Sequence, residues 1–354
     1  YFTGMVGKWH LGNDDRPQRG FDSWGALAGD YPIDATGPAR YCVDGRLDTV
    51  TGSKASVITD QAVDFLRRRD RRRPFFLLVG HVQTHSPWTG QPQRLVDRYR
   101  EAVFSDVPKG ETYLFGVQNL ESRDLIDRSR SDEALANYYA AVTAIDEGVG
   151  RLLDELDAQG AAEDTLVIYT SDHGLNCGHH GIWGKGNGTL PLNMVDETIR
   201  VPLLIAGPAV ASQRRSEFVD HLDLFQTVLA QCGVTAPSGR SYAGRSFQAL
   251  LEGGSSEWRD AQFCEYGDMQ MIRTARHKLV RYVSDGFERL FDLEIDPRET
   301  FNIAGTPSAA GIQGELGRRL DEYYARHSIA ANSGTAAGGP RFTNTSSPWW
   351  IAGE

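Results

Sequence analysis

Three short apolar runs constrain the fold of this chain more than any other feature of its 354 residues. They are Phe75–Gly80 (FFLLVG), Leu166–Thr170 (LVIYT) and Val201–Ala206 (VPLLIA), and Gly207-Pro208 ends the third run. Strands that are apolar throughout, rather than at alternate positions, are typical of parallel sheets covered on both faces. The runs therefore predict a mainly parallel sheet that lies between two layers of helices.

Amphipathic helices are predicted between these runs. Glu133–Gln159 repeats apolar residues at steps of three and four, and Gly160 stands where a C-cap is expected. Ser53–Arg69, with Ser53 as its N-cap, and Asp223–Gln231 are two further helices. Strands that alternate with helices indicate an α/β doubly wound fold.

The pattern changes after about residue 255, where short antiparallel strands replace the α/β alternation. The expected elements are the strands Met271–Ala275, Lys278–Val283 and Arg289–Asp292, a hairpin turn at Asp285-Gly286, and a terminal helix at Ile312–His327. We therefore predict a catalytic α/β domain at 1–255, a small C-terminal α+β subdomain at 256–328, and a loose tail rich in Gly, Ala and Ser at 329–354.

Composition excludes several classes of function. The net charge of −10 argues against a nucleic-acid binder, although a few local cations could still hold an anionic substrate. No apolar run approaches the roughly eighteen residues of a spanning helix, so no membrane span is expected. The four cysteines form no C-x-x-C pair, which argues against a disulfide framework and a zinc ribbon. The segment CGHH at Cys177 is too compact for a usual structural zinc site.

Polar side chains follow two of the predicted strands. His81 and His85 come after the first apolar run, and Asp172 and His173 follow the second. Ligands of doubly wound sheets bind beyond the carboxyl ends of the strands, so we expect these groups at one edge. Adjacent oxygen and nitrogen donors suit a divalent cation. The alternative is an aspartate that caps the turn beside a solvated histidine.

Two glycine-flanked loops each carry a lysine. Lys185 lies in WGKG, and Lys8 lies in VGKWHLG together with His10. Glycine allows a close approach to an anion, and an ammonium group can stabilise an oxyanion. A histidine nearby could give a proton to a leaving alcohol near neutral pH. Each lysine alone could equally be a surface residue, but the combination predicts a site that acts on an anion.

These segments together resemble the type I, formylglycine-dependent sulfatases of the alkaline phosphatase superfamily. The resemblance rests on YFTGMVGKWHLG, FFLLVGHVQTHSPW, SDHGLNCGHHGIWGKG and DETIRVPLLIAGP, and it runs from residue 1 to about residue 305. It implies an alkaline-phosphatase-like fold with a C-terminal antiparallel subdomain. It also implies hydrolysis of a sulfate ester, in a sulfated small molecule or carbohydrate, to an alcohol and sulfate.

The resemblance assigns metal ligands and sulfate-binding lysines to specific positions. Asp172 and His173 match the ligands of a divalent cation, which is expected to be calcium, with magnesium or manganese as alternatives. Lys8 and Lys185 match the two lysines that contact the sulfate group. The cation and both lysines would stabilise negative charge that develops during the reaction.

The resemblance also assigns histidines. His10 would hydrogen-bond the nucleophile, and His85 would bind sulfate and protonate the leaving oxygen. His180 matches the histidine of the family's usual GEHG turn and is expected to contact the substrate. His179 replaces the glutamate of that turn, a change expected to alter the substrate pocket.

One expected feature is missing from the sequence. The family forms its formylglycine from Cys or Ser in a C/S-x-P-x-R motif, and none of the four cysteines has that context. The strand with two aspartate ligands, which also normally precedes GKWHLG, is not found either. We therefore expect about a hundred residues to precede Tyr1, within the usual size of such a domain.

Two other functions remain open at this stage. A phosphonate monoester or phosphodiester hydrolase of the same superfamily shares this kind of site and its Asp-His pair. An inactive, truncated chain that binds anions without turnover is the other alternative. The resemblance is compatible with a periplasmic, secreted or cytoplasmic location, and the sequence does not indicate an oligomeric state.

Overall fold

The structure of the protein is a computed structural model that describes residues 1–29, 35–125, 128–239, 241–255 and 257–328. The chain divides into two compact units. The first unit contains Tyr1–Asp106 and Ile126–Thr165, and the second contains Val107–Leu125 and Leu166–Glu354. The predicted domain boundary near residue 255 stays a prediction, and the predicted tail at 329–354 lies outside the described residues.

The strands are β1 (Phe2–Gly7), β2 (Ser23–Leu27), β3 (Ala39–Val43), β4 (Arg46–Val50), β5 (Phe75–Gly80), β6 (Val117–Gln118), β7 (Val167–Thr170), β8 (Asn176–Cys177), β9 (Trp183–Gly184), β10 (Thr189–Leu190), β11 (Leu203–Ala206), β12 (Ala261–Tyr266), β13 (Met269–Thr274), β14 (His277–Tyr282) and β15 (Glu288–Asp292). The helices are α1 (Lys54–Arg68), α2 (Gln93–Tyr99), α3 (Leu120–Asp124), α4 (Arg128–Ala158), α5 (Asp196–Ile199), α6 (His221–Gln231), α7 (Gln248–Leu251) and α8 (Ala310–His327). Among the described residues, none of these helices has the length and apolar content needed to span a bilayer.

The first unit is built on a five-stranded sheet with the order β4-β3-β2-β1-β5. β2, β1 and β5 run parallel, as the continuous apolar run of β5 predicted, whereas β3 and β4 add an antiparallel edge. Ile58 and Ala62 of α1 pack with Val6 and Leu27 of the sheet in one buried cluster. The predicted helices at 53–69 and 133–159 are confirmed as α1 and α4, and α4 begins five residues earlier than expected.

The second unit contains the other two apolar runs, and their arrangement differs from the expectation. β7 and β11 pair antiparallel, with Thr170 opposite Leu203 and Val167 opposite Ala206. Apolar residues at every position predicted strands covered on both faces, but Leu204 of β11 is 64% exposed, and Phe76 and Leu78 of β5 are each 42% exposed. Such residues also do not determine the direction of the partner strand. That direction depends on how the intervening 32 residues of chain return to the sheet.

The C-terminal part of the second unit is a four-stranded antiparallel sheet with the order β12-β13-β14-β15. The three predicted strands correspond to β13, β14 and β15, and Gly286, with φ 71°, lies in the predicted turn between the last two. β12 was not predicted because its polar residues interrupt the apolar alternation. α8 confirms the predicted terminal helix and packs Leu316 and Leu320 against Ile272 and Leu279.

Candidate active site

The structure places the candidate residues in both units. Lys8, His10 and His85 lie in the first unit, and Asp172, His173, His180 and Lys185 lie in the second. Each group is therefore described within its own unit. The prediction that the loops after β5 and β7 share one edge stays a prediction.

In the first unit, the loops that carry Lys8 and His85 leave the sheet from adjacent strand ends. Gly7 of β1 is the register partner of Gly80 of β5, and the amide of Lys8 donates to the Gly80 carbonyl at 2.7 Å. Gly7 has φ 94°, and a Cβ built there would collide with that carbonyl oxygen. This close approach requires glycine, and it brings Lys8 to the carboxyl edge from which the 81–85 loop departs.

The two histidines of that loop have different environments. Nδ1 of His85 lies 2.7 Å from the carbonyl oxygen of Ser86, so Nδ1 carries the hydrogen and Nε2 is the nitrogen suited to proton transfer. Both ring nitrogens of His81 are buried and have no hydrogen-bond partner among the described residues. Burial lowers the pKa of His81 to about 4. His81 is therefore neutral near pH 7, and His85 is the histidine of this loop suited to act as a general acid.

In the second unit, Asp172, His173 and Lys185 come together after β7. Nδ1 of His173 donates to the carbonyl of Gly174 at 2.9 Å, which leaves the lone pair on Nε2. That Nε2 lies 3.5 Å from Oδ2 of Asp172 and 3.0 Å from Nζ of Lys185. An ammonium group, a carboxylate and an unprotonated imidazole nitrogen therefore lie close together at this point.

This arrangement fits part of a divalent-cation site. A backbone carbonyl that accepts from Nδ1 is the usual support of a histidine that binds a metal through Nε2. The neighbouring carboxylate of Asp172 supplies a hard oxygen donor, and its side chain is 71% exposed. The described residues contain no group of three or more His, Cys, Asp or Glu side chains that could hold a metal ion. A cation bound here would need further ligands beyond Asp172 and His173.

His180 lies in the same loop but contacts different partners. Its ring is buried, and Nε2 lies 2.9 Å from Oε2 of Glu197. Its backbone amide donates to Oε2 of Glu111 at 2.6 Å, and Glu111 also pairs with Arg298. Burial acts to raise the pKa of Glu197, but the hydrogen bond and charge of His180 lower this pKa to about 2. Burial also lowers the pKa of His179.

Sequence reasoning missed the two carboxylates that hold His180. Glu111 and Glu197 lie 69 and 17 positions away along the chain, and neither belongs to a local motif with it. Glu197 does stand in DETIRVPLLIAGP, a segment of the family resemblance, but no residue pattern there indicated a histidine partner. Cys177, by contrast, is buried in β8 as the register partner of Trp183.

A buried ion network anchors helix α5, which carries Glu197. Lys278 is fully buried and lies 3.1 Å from Oδ1 of Asp196 and 2.8 Å from Oε2 of Glu299. Arg273 pairs with Asp196 at 2.9 Å, and the Asp196 amide donates to Glu299 at 2.7 Å. Burial opposes the ionisation of Asp196, but Lys278 and Arg273 lower its pKa to about 2. Burial dominates at Glu299 and raises its pKa.

The depressed pKa values predict loss of stability in acid. Asp196 and Glu197 titrate near pH 2 in the folded protein, against ordinary values of 3.8 and 4.5. The unfolded chain therefore takes up these protons first, so their stabilisation is complete above about pH 5 and declines towards pH 2. Thermal unfolding midpoints measured from pH 7 to pH 2 should fall through this window. The difference in unfolding midpoint between wild type and Glu197→Gln should shrink over the same range. A midpoint difference that stays constant would contradict the lowered pKa of Glu197.

Comparisons with known proteins identify the family of the chain. A family model described as Sulfatase matches residues 1–234, and one described as N-sulphoglucosamine sulphohydrolase, C-terminal, matches residues 178–326. An N-acetylglucosamine-6-O-sulfatase of Bacteroides thetaiotaomicron is 27% identical, over 91% of this chain and 70% of the relative. An arylsulfatase of Clostridium perfringens is 29% identical, over 70% of this chain and 52% of the relative. The chain thus spans between about half and 70% of the length of these relatives.

Solved structures show the same fold. A protein in complex with its substrate D-glucosamine-2-N,6-O-disulfate superposes with a TM-score of 0.78 at 25% identity, over 92% of this chain and 80% of that one. The phosphonate monoester hydrolase of Agrobacterium radiobacter superposes with a TM-score of 0.69 at 20% identity, over 94% of this chain and 79% of that one. The second likeness supports the fold alone.

Proposed function

Because the chain belongs to the sulfatase family, we propose that its protein hydrolyses the sulfate ester of a sulfated carbohydrate to an alcohol and sulfate. The meeting of Lys185, His173 and Asp172 after β7 carries the proposal. Lys185 provides an ammonium group that can bind a sulfate oxygen, and His173 and Asp172 provide two donor atoms for a divalent metal. Activity, substrate and metal are all proposals for the whole protein.

Sulfatases use a divalent cation, and the proposed ligands in this chain are Asp172 and His173. Calcium is proposed because it accepts irregular, oxygen-rich ligand sets, and magnesium or manganese are the alternatives. A bound cation neutralises charge on the sulfate group. Coordination by His173 would occupy the lone pair to which Lys185 now donates, so the ammonium group of Lys185 would turn to a sulfate oxygen.

Sulfatases also use formylglycine, which supplies a hydrated aldehyde as the nucleophile. No Cys or Ser of this sequence lies in a C/S-x-P-x-R motif, so its residues do not provide that group. The residues of this chain instead supply the groups that would surround it. We propose that His10, at the left-handed φ of 66°, donates or accepts a hydrogen bond at the nucleophile.

The remaining residues bind charge and move a proton. Lys8 and Lys185 stabilise the negative charge that develops on the sulfate oxygens. His85, held through Nδ1 by the Ser86 carbonyl, gives the proton on Nε2 to the leaving oxygen. His180 contacts the substrate beside the sulfate ester.

A 6-sulfated amino sugar is the proposed substrate class. Two findings on relatives support it, namely the name N-acetylglucosamine-6-O-sulfatase and the solved complex with D-glucosamine-2-N,6-O-disulfate. A phosphonate monoester hydrolase is the second candidate, and the fold likeness to such an enzyme favours testing it directly. An inactive chain that binds anions is the third.

Turnover of matched esters tests the proposed function. The protein is expressed from its complete reading frame together with a formylglycine-generating enzyme, and 4-nitrophenyl sulfate is compared with a 4-nitrophenyl phosphonate. We expect the sulfate ester to react faster than the phosphonate, EDTA to abolish turnover, and calcium to restore it. A faster phosphonate reaction would favour the second candidate. Saturable sulfate binding without product would favour the third, and turnover unaffected by EDTA would contradict the metal assignment.

A further inference from the structure

Helix α5 fixes the start of the loop that carries His180 and Lys185. The amide of Gly174 donates to the Thr198 carbonyl at 2.8 Å, and Asn176 Nδ2 donates to the Thr198 hydroxyl at 2.9 Å. A Cβ built on Gly174 would collide with the carbonyl oxygen of Glu197. The backbone that directly follows His173 is thus packed against α5 without room for a side chain.

The carboxylate of Glu197 fixes the middle of the same loop. It contacts Nε2 of His180 at 2.9 Å, and His180 is itself held at the left-handed φ of 55° by the bond from its amide to Glu111. An ionised carboxylate only accepts hydrogen bonds, so Nε2 of His180 carries the hydrogen. Nδ1 is then the ring nitrogen that remains for contact with a substrate.

The chemistry around this ring suits a hydroxyl group better than a sulfate group. A hydroxyl both donates and accepts, so it can pair with Nδ1 of His180 whether the ring is neutral or charged. A sulfate oxygen only accepts and can pair with Nδ1 only in the charged ring. Glu197 also places a carboxylate directly against the ring, which disfavours an anion as a further partner of the same ring.

We propose that Glu197 is a positioning residue which, by holding His180, makes this loop recognise a hydroxyl group of the sugar next to the sulfate ester. The inference rests on the proposed function and adds a specificity determinant to it. The side chain of Glu197 pairs with His180, and that of Glu111 pairs with the His180 amide and with Arg298. The expected effect of Glu197 is therefore on sugar recognition rather than on the sulfate group.

The test compares a sugar sulfate with an aryl sulfate that has no hydroxyl group. In the protein from the complete reading frame, Glu197→Gln should raise the ratio of KM for glucosamine 6-sulfate to KM for 4-nitrophenyl sulfate about five- to tenfold. His180→Ala should raise this ratio at least as much. The double variant should show no further loss, because Glu197 acts through His180. Glu315→Gln, at an exposed position in α8, is the matched control and should leave the ratio unchanged.

Binding measured by calorimetry keeps this test independent of turnover. Glu197→Gln should raise the Kd of glucosamine 6-sulfate relative to the Kd of inorganic sulfate by the same factor. If the wild type hydrolyses neither ester, the proposed function fails. The Kd ratio then tests by itself whether Glu197 positions His180 for sugar recognition. An unchanged Kd or KM ratio, or fully additive losses in the double variant, would overturn the proposal. If Glu197→Gln weakens binding of glucosamine 6-sulfate and of inorganic sulfate by the same factor and also lowers the unfolding midpoint, Glu197 has a merely structural role. That result would also overturn the proposal.

Discussion

Replacing His85 by alanine is expected to slow hydrolysis of glucosamine 6-sulfate by about 10²–10⁴-fold, but that of 4-nitrophenyl sulfate much less. A sugar alkoxide is a poor leaving group and needs a proton, whereas 4-nitrophenolate leaves without one. The structure supports this role because the Ser86 carbonyl holds Nδ1 of His85 and leaves Nε2 for the proton. Steady-state kcat for both esters, measured on the protein from its complete reading frame, checks the prediction.

Lys185→Ala provides the contrasting variant for this experiment. The ammonium group of Lys185 is proposed to stabilise charge on the sulfate group, which both esters share. Hydrolysis of both esters should therefore slow by about 10²–10³-fold in the variant. Lys109→Ala, at an exposed lysine of the same unit, should change neither rate. Equal losses on both esters in His85→Ala would show that His85 is not the general acid, and near-normal rates in Lys185→Ala would refute the sulfate-binding role.

Replacing Lys278 by methionine is expected to destabilise the protein by about 3–5 kcal/mol, because removing one partner leaves buried charge uncompensated. Lys278 is fully buried between Asp196 and Glu299, and Glu299 is itself only 2% exposed. Arg273 would still pair with Asp196, so Glu299 would lose its nearby cation. Urea unfolding at pH 7 measures the loss.

Two further variants distinguish a buried charge from a general packing defect. Lys278→Met combined with Glu299→Gln should recover much of the loss, since the neutral amide can still accept the hydrogen bond from the Asp196 backbone. Arg276→Met removes a half-exposed arginine that pairs with Asp292 and should destabilise the protein much less than Lys278→Met, because water screens an exposed ion pair. A double variant as unstable as Lys278→Met alone would show that packing, not charge, dominates at this position.

Much of the fold follows from patterns within single segments. The run Phe75–Gly80 predicted β5 with its bounds and the parallel direction of its pairing, and the amphipathic repeats predicted α1, α4 and α8 to within five residues. The partner strand β1 was not predicted. Such patterns are readable because one buried face imposes its own period on the sequence. The antiparallel pairing of β7 with β11 was not readable, because strand direction depends on the path of the chain between them.

The sequence by itself was enough to propose the chemical groups of the candidate site. Lys8, His85, Asp172, His173 and Lys185 stand beside glycines or strand ends, and such local contexts can be recognised without a structure. Only the tertiary structure showed which distant carboxylates hold His180 and helix α5. The bonds from His180 to Glu111 and from Lys278 to Asp196 join residues 69 and 82 positions apart. Contacts over such distances leave no local pattern, because each partner's neighbours in sequence belong to a different element.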